Sequence, residues 1–256
     1  MAGALVEFTA AGIGLKIAKM NKTDFLILIP TKNEIFPIAK HFQLKKISHQ
    51  NFSVFEGNIS EKSLFLVEAG YAKKFQNNIV QILTEFQAEK VILVGVAAAL
   101  EENYRLGDGF LVGQAFLETE NKSLAIVIPK SLKNFPQAVS VTGKHYVDSK
   151  QKEALKKSFP EAGLYEQENY YFTQACSARG KNFLILRMVS DDYKTKLPSS
   201  FLIFRHFEKI NWKYFLRDFL KNPVDFWQLL KFKRAFHSSM KKTAVFLERL
   251  ITKWDC

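Results

Sequence analysis

The feature that most constrains the fold is an apolar run at residues 183–189, F-L-I-L-R-M-V, which Arg187 alone interrupts. Such a run is typical of a strand that is buried on both faces. Strands of this kind belong to sheets that carry helices on both sides. Ligands bind at the carboxyl ends of these strands, and the run ends at Ser190 and Asp191. Asp191 is therefore the leading candidate for a catalytic group.

Similar patterns recur along the chain and predict one α/β domain. Short apolar runs at residues 25–29 and 91–94 predict buried strands, and residues 52–59 and 63–67 predict a hairpin. Helical patterns are expected at residues 35–42, from residues 69–74 through Phe86, and at residues 150–157, 169–178 and 224–253. Residues 118–137 show neither pattern and are expected to be irregular.

Composition favours a soluble, cytoplasmic protein. Apolar residues make up 47% of the chain and charged residues 24%, which is ordinary for a globular protein, and no apolar run reaches the roughly 18 residues that span a bilayer. The two cysteines provide neither a disulfide framework nor metal-ligand spacing. Residues 1–20 place their lysines after an apolar stretch, unlike a signal peptide, and Met20 is an alternative start. We expect a poorly ordered extension at residues 1–20 and a single domain at residues 21–256.

The net charge of +12 is concentrated towards the C-terminus. Residues 201–256, which we expect to form basic, aromatic helices, hold 12 Lys and Arg against 5 Asp and Glu. Solvated helix faces are the simpler interpretation of this charge. The alternative is a surface that contacts anionic lipid at a membrane. Nucleic acid is not expected as a partner, because no nucleic-acid module is recognisable.

Two motifs give the chain a family resemblance. Y-E-Q-E-N at residues 165–169 and R-M-V-S-D at residues 187–191 resemble V-E-M-E-A and R-A-I-S-D of the purine nucleoside phosphorylase and methylthioadenosine/S-adenosylhomocysteine nucleosidase superfamily. The resemblance extends over residues 25–198. It implies a three-layer α/β/α fold with a mixed central β-sheet, a small-molecule nucleoside substrate, a homodimer, and no metal or organic cofactor.

The resemblance assigns roles to the two motifs. Asp191 matches the position that protonates the purine at N7, with Ser190 beside it to orient it. Glu168 matches the carboxylate that accepts hydrogen bonds from the ribose hydroxyls, and Glu166 supports the loop. Gln167 replaces the usual methionine against the sugar and would suit a more polar 5' substituent. The alternative is that Glu166 and Glu168 are exposed acids at the start of a helix.

Glu34 is the second catalytic candidate. It follows the predicted strand at residues 25–29 and lies near a helix start, a position that resembles the glutamate-bearing A-M-E-E-E-V loop of the superfamily. By that resemblance Glu34 would orient or deprotonate the attacking water. The alternative is an acid that only interacts favourably with the helix dipole.

Two further segments are expected to contact the substrate. Tyr146 lies where the superfamily stacks an aromatic ring on the base, with Val147 beside it. One alternative is that the neighbouring His145 stacks on the base. The other is that Tyr146 is a core residue without a role in binding. G-V-A-A-A-L at residues 95–100 resembles a small-residue loop that approaches the ligand. Its candidate contact residues are Gly95, Ala97 and Ala98.

The expected reaction is hydrolysis. Leu93 and Val96 stand where the hexameric phosphorylases place an arginine and a serine that hold phosphate, although another basic residue could enter from elsewhere. The sequence thus favours a purine nucleoside N-ribohydrolase acting on an adenosine-type nucleoside such as methylthioadenosine or S-adenosylhomocysteine, as in methionine salvage. The alternatives are a phosphorylase, a non-catalytic nucleoside-binding protein, and a hydrolase of a lipid-linked nucleoside. The last rests on residues 222–235, which resemble the hopanoid-associated branch.

Overall fold

The computed structural model describes residues 22–194 and 223–254, with only the backbone described at 223–235. Ten strands form one mixed sheet. The strands are β1 (Thr23–Ile29), β2 (Lys45–Ile47), β3 (Val54–Ile59), β4 (Lys62–Glu68), β5 (Ala88–Ala99), β6 (Gly109–Leu117), β7 (Lys122–Ala125), β8 (Gln137–Thr142), β9 (Leu164–Glu166) and β10 (Asn182–Asp191). The helices are α1 (Lys32–His41), α2 (Ala72–Glu85), α3 (Ser149–Ser158), α4 (Asn169–Ser177) and α5 (Pro223–Trp254).

The sheet is covered on both faces, which confirms the predicted three-layer architecture. Along β1, Leu26 and Leu28 belong to one core with apolar side chains of α2 and α4. Their neighbours Phe25 and Ile27 belong to a second core with side chains of α1 and α5. Successive side chains of a strand point to opposite faces, so two cores that share β1 lie on opposite sides of the sheet.

The predicted buried strands form the parallel centre of the sheet. β1 pairs in parallel with β4 and β5, and β5 pairs in parallel with β10. The apolar run at residues 183–189 lies within β10 and is buried from Leu184 onwards, as expected. Because these four strands run in the same direction, their carboxyl ends meet at one edge of the sheet.

Part of the sheet closes on itself, which the sequence did not indicate. β10 pairs with β6, and the order then continues through β8 and β9 back to β5, which is also the partner of β10. The result is a ring of five strands beside the open part of the sheet.

The expectation that residues 118–137 are irregular was wrong at Lys122–Ala125, where β7 pairs with β6. This strand is short and mostly exposed, so it shows no alternation of apolar and polar residues.

The C-terminal helix confirms the helical prediction for residues 224–253. Within the described ranges, no helix is both long and apolar enough to cross a membrane. The predicted N-terminal extension at residues 1–20 and the basic segment at residues 201–222 lie outside the described residues, so both stay predictions.

Candidate active site

A cleft opens where the carboxyl ends of β1, β5 and β10 meet the turn between β9 and α4. Its volume is about 600 Å³ with the open mouth included, which is within the usual range for small-molecule sites. The cleft is lined by Pro30, Thr31, Glu34, Tyr71, Val96, Ala97, Ala98, Tyr146, Val147, Tyr165, Glu166, Gln167, Glu168, Arg187, Ser190 and Asp191. The structure therefore brings nearly all of the predicted site residues to one place.

Asp191 is the last residue of β10, and both of its carboxylate oxygens accept hydrogen bonds. The Ser190 hydroxyl donates to Oδ1 at 2.9 Å, and the Lys152 ammonium donates to Oδ2 at 2.6 Å. Lys152 is fully buried on α3, where the sequence indicated only a charged helix. A lysine in a helix with three other lysines and a glutamate carries no sequence signal of burial, so its role could not be predicted.

Glu166 is the centre of a buried hydrogen-bond network. It accepts hydrogen bonds from the Thr142 hydroxyl at 2.5 Å, the backbone N–H groups of Glu168 and Asn169 at 2.6 and 2.7 Å, and Arg187 at 3.1 Å. Burial raises the pKa of Glu166, and the Arg187 guanidinium opposes that rise. Only 5% of the residue is exposed, which excludes the alternative of a solvated acid.

Glu168 is held from two sides. Arg187 Nη2 donates to Oε2 at 3.0 Å, and the Ala72 backbone N–H donates to Oε1 at 3.3 Å. Ala72 has φ of 49°, a left-handed conformation that is uncommon outside glycine and that aims its N–H at the carboxylate. Glu168 is also buried, with 5% exposed, and its carboxylate lines the cleft.

Arg187 joins these carboxylates to the sheet. Only 1% of Arg187 is exposed. Its Nη2 donates to Glu166 and Glu168. Its Nε donates to Asn169 Oδ1 at 2.8 Å, and its Nη1 donates to the Val96 carbonyl at 3.3 Å. The sequence showed Arg187 only as an interruption in an apolar run. That interruption was a usable signal, because a charged residue inside a doubly buried strand requires buried partners.

Glu34 points into the same cleft from the first turn of α1. Its Oε2 accepts a hydrogen bond from the Thr31 hydroxyl at 2.6 Å, and its Oε1 accepts one from the Val96 backbone N–H at 3.0 Å. Burial raises the pKa of Glu34 to about 7, against the opposing effect of the Thr31 hydrogen bond. A carboxyl group with this pKa can take up and release a proton near neutral pH.

The small-residue segment is part of a strand, so the expectation of a loop at Gly95, Ala97 and Ala98 was wrong. These residues continue β5, and β10 pairs with it as far as Ala98. The ladder persists because both strands extend to the edge of the cleft. Ala97 and Ala98 line the cleft. At Gly95 a Cβ atom would lie 2.3 Å from Arg187 Nη1 and 3.2 Å from Glu34 Oε1, so this glycine makes room for both side chains.

Aromatic side chains are part of the cleft lining. Tyr146 lines the cleft with 38% of its surface exposed, whereas the His145 carbonyl accepts a hydrogen bond from the Tyr165 hydroxyl at 2.7 Å. Val147 lines the cleft beside Tyr146. Tyr165, which the sequence did not single out, thus anchors the loop that carries Tyr146.

We expect Gly95→Ala to disturb the site, because its Cβ atom would clash with Arg187 and crowd Glu34. The added methyl group would displace Arg187 or Glu34, at a cost of about 1–3 kcal/mol in the free energy of unfolding. Urea denaturation measures this change. Gly113→Ala is the matched control, because its Cβ would meet only Ile128 at 3.8 Å. Equal stability of the two variants would contradict the steric role of Gly95.

The chain is similar to several known proteins in sequence and in fold. No protein-family model matches the chain. The 5'-methylthioadenosine/S-adenosylhomocysteine nucleosidase of Staphylococcus haemolyticus is 26% identical over 185 residues, which cover 62% of this chain and 81% of that protein.

Solved structures share the fold at lower sequence identity. The 5'-methylthioadenosine/S-adenosylhomocysteine nucleosidase of Helicobacter pylori, crystallised with butyl-thio-DADMe-Immucillin-A, superposes with a TM-score of 0.68 and 17% identity, covering 90% of this chain and 98% of its own. The futalosine hydrolase of Helicobacter pylori superposes with a TM-score of 0.65 and 18% identity, covering 90% and 97% of the two chains.

Proposed function

We propose that this chain, a member of the superfamily of purine nucleoside phosphorylases and methylthioadenosine/S-adenosylhomocysteine nucleosidases, is a purine nucleoside N-ribohydrolase. The observation that carries the proposal is the convergence of Asp191, Glu168 and Glu34 on one cleft. The sequence relatives and structural neighbours named above support the same reaction class. Adenosine-type nucleosides are the proposed substrates, with methylthioadenosine and S-adenosylhomocysteine first among them.

Cleavage of the N-glycosidic bond develops positive charge on the sugar and negative charge on the leaving base. In the proposed mechanism Asp191 delivers a proton to the purine N7, which neutralises the base as it leaves. Glu168 accepts hydrogen bonds from the ribose hydroxyls and lies close to the developing cation. Glu34 takes a proton from the water that attacks C1'.

The charges around the cleft favour water over phosphate as the nucleophile. Four carboxylates line the cleft, from Glu34, Glu166, Glu168 and Asp191. Among the described residues that line the cleft, Arg187 is the basic one, and its guanidinium already donates to Glu166, Glu168, Asn169 and the Val96 carbonyl. A phosphate dianion needs donors that are available to it and would be repelled by the carboxylates. This balance supports hydrolysis and disfavours phosphorolysis.

The experiment that tests the proposal is an assay of adenine release by the full-length chain. The substrates are methylthioadenosine, S-adenosylhomocysteine and adenosine, each with and without phosphate. We expect release that does not depend on phosphate. Release only with phosphate would establish a phosphorylase, and no release from any substrate would overturn the proposal. A fourth assay uses futalosine and measures release of its own base, hypoxanthine, because Gln167 lines the cleft and a polar side chain there would suit a polar 5' substituent.

We expect the pH dependence of the reaction to report on Glu34. A general base works only when it is deprotonated, so kcat/KM should rise with pH through about 7, where the raised pKa of Glu34 lies. In Glu34→Gln the rate should fall about 10²-fold and this rise should disappear. Rate measurements from about pH 5 to about pH 9 test both points. Glu56→Gln, on β3 and outside the cleft lining, is the control that should keep the wild-type profile.

The remaining assignments are parts of the proposal. A homodimer, a cytoplasmic location and a place in methionine salvage rest on the superfamily resemblance. Peripheral membrane contact rests on the basic composition of residues 201–256. Size-exclusion chromatography with light scattering tests the dimer, and co-sedimentation with anionic vesicles tests the membrane contact.

A further inference from the structure

Lys152 has an unusual environment for a lysine. Its side chain is fully buried, and its ammonium donates to Asp191 Oδ2 at 2.6 Å and to the Asp192 carbonyl at 2.7 Å. Lysine is rarely buried, because removal of its charge from water is costly unless a partner compensates. α3 also offers Lys156 and Lys157, which reach acids nearer the surface, so burial of Lys152 is specific to Asp191.

The hydrogen bonds of Asp191 raise a question about its proposed role. Ser190 donates to one carboxylate oxygen and Lys152 to the other, so Asp191 is arranged as an acceptor on both sides. An ionised carboxylate in this state has no proton for the purine N7. The Lys152 ammonium carries such a proton, and its Nζ lies 2.6 Å from Asp191 Oδ2.

We propose that Lys152 is the positioning residue that supplies the proton of Asp191, an inference that rests on the proposed hydrolase function. The Lys152 N–H bond breaks as an O–H bond forms on Asp191. That O–H bond then breaks as the purine N7–H bond forms, and the electron pair of the C1'–N9 bond moves into the base. Water bonds to C1' and gives a proton to Glu34. After the products leave, Glu34 releases this proton to solvent and Lys152 takes one from solvent, which restores the starting state.

The chemistry of lysine suits this step. The Lys152 ammonium donates a hydrogen bond of 2.6 Å to the Asp191 carboxylate, so a proton has a direct path from one group to the other. Lysine releases its proton readily when it is desolvated, whereas arginine remains protonated in proteins. Arginine at this position would keep the positive charge and the contact with Asp191 but would withhold the proton.

The test uses full-length Lys152→Met and Lys152→Arg with methylthioadenosine. We expect kcat for adenine release to fall about 10²-fold in both variants, with KM changed by less than about threefold. Lys157→Met is the matched control, because Lys157 lies on the same helix with its side chain exposed and paired with Glu153. Lys157→Met should keep the wild-type rate. A wild-type rate in Lys152→Arg would overturn proton supply.

Two further measurements separate proton supply from a structural role. In the Asp191→Asn background, Lys152→Met should cause no additional loss of kcat, because its effect passes through Asp191. Both Lys152 variants should retain activity on 4-nitrophenyl riboside, whose phenolate leaves without a proton. Additive losses in the double variant, or equal losses on the two substrates, would overturn the proposal.

The outcomes also distinguish this inference from the proposed function. If wild type releases adenine but the Lys152 variants match it, only the role of Lys152 fails. If wild type releases no adenine from any nucleoside, the proposed function fails first. If wild type does not cleave the nitrophenyl riboside, the comparison of single and double variants decides. Circular dichroism of Lys152→Met and Lys152→Arg identifies a variant that has not folded, and the other variant then carries the test.

Discussion

Asp191→Asn is expected to lower kcat for adenine release from methylthioadenosine about 10³-fold, within the range for loss of a general acid. The asparagine side chain keeps the size of the aspartate but has no proton to transfer to the purine N7. Substrate affinity should change little, because the contacts of Glu168 and of the aromatic side chains remain. Single-turnover kinetics and equilibrium binding of the nucleoside measure the two effects separately.

The control for Asp191→Asn is Asp24→Asn, the same chemical change near the amino end of β1. Asp24 accepts hydrogen bonds from the Ser63 backbone and hydroxyl and lies away from the cleft lining. This control should keep the wild-type kcat. If Asp191→Asn also kept it, Asp191 would not be the acid. If wild type and Asp191→Asn both bound the nucleoside equally well and neither released the base, the chain would be a nucleoside-binding protein.

Arg187→Met is expected to have the largest effect on stability. The change removes the cation that holds Glu166 and Glu168 and leaves two carboxylates buried in the network without it. Breaking a buried ion pair in this way costs about 3–5 kcal/mol in the free energy of unfolding. The corresponding fall in Tm is about 6–20 °C for a chain of this size. Denaturant titration and thermal melting by circular dichroism measure both quantities.

Arg179→Met is the matched control for Arg187→Met. Arg179 follows α4, is exposed, and donates to the Ala175 carbonyl at 3.2 Å. We expect its loss to change the free energy of unfolding by less than about 1 kcal/mol. The instability of Arg187→Met should also lessen at low pH, because burial raises the pKa of Glu166 and protonation of this group removes an uncompensated charge. If the two arginine variants were equally stable at neutral pH, Arg187 would not hold the network together.

Local sequence determined the elements on which the site is built. The apolar runs at residues 25–29, 91–94 and 183–189 identified the central strands, because burial on both faces leaves few polar positions in a strand. The residues that end those runs then identified the edge where Asp191 and Glu34 lie. The resemblance of the motif at residues 165–169 to a known family predicted Glu166 and Glu168 as site residues, and both line the cleft.

Tertiary structure alone decided how those acids are held. Arg187 and Lys152 are 35 residues apart in the chain, and each contacts carboxylates that other elements supply. No periodicity in one segment reveals such partners, because it reports which face of an element is buried and not what packs against it. The closed ring through β6, β8 and β9 depends in the same way on strand pairings between distant segments. The sequence therefore determined which groups could do chemistry, and packing between distant segments decided which charges they meet.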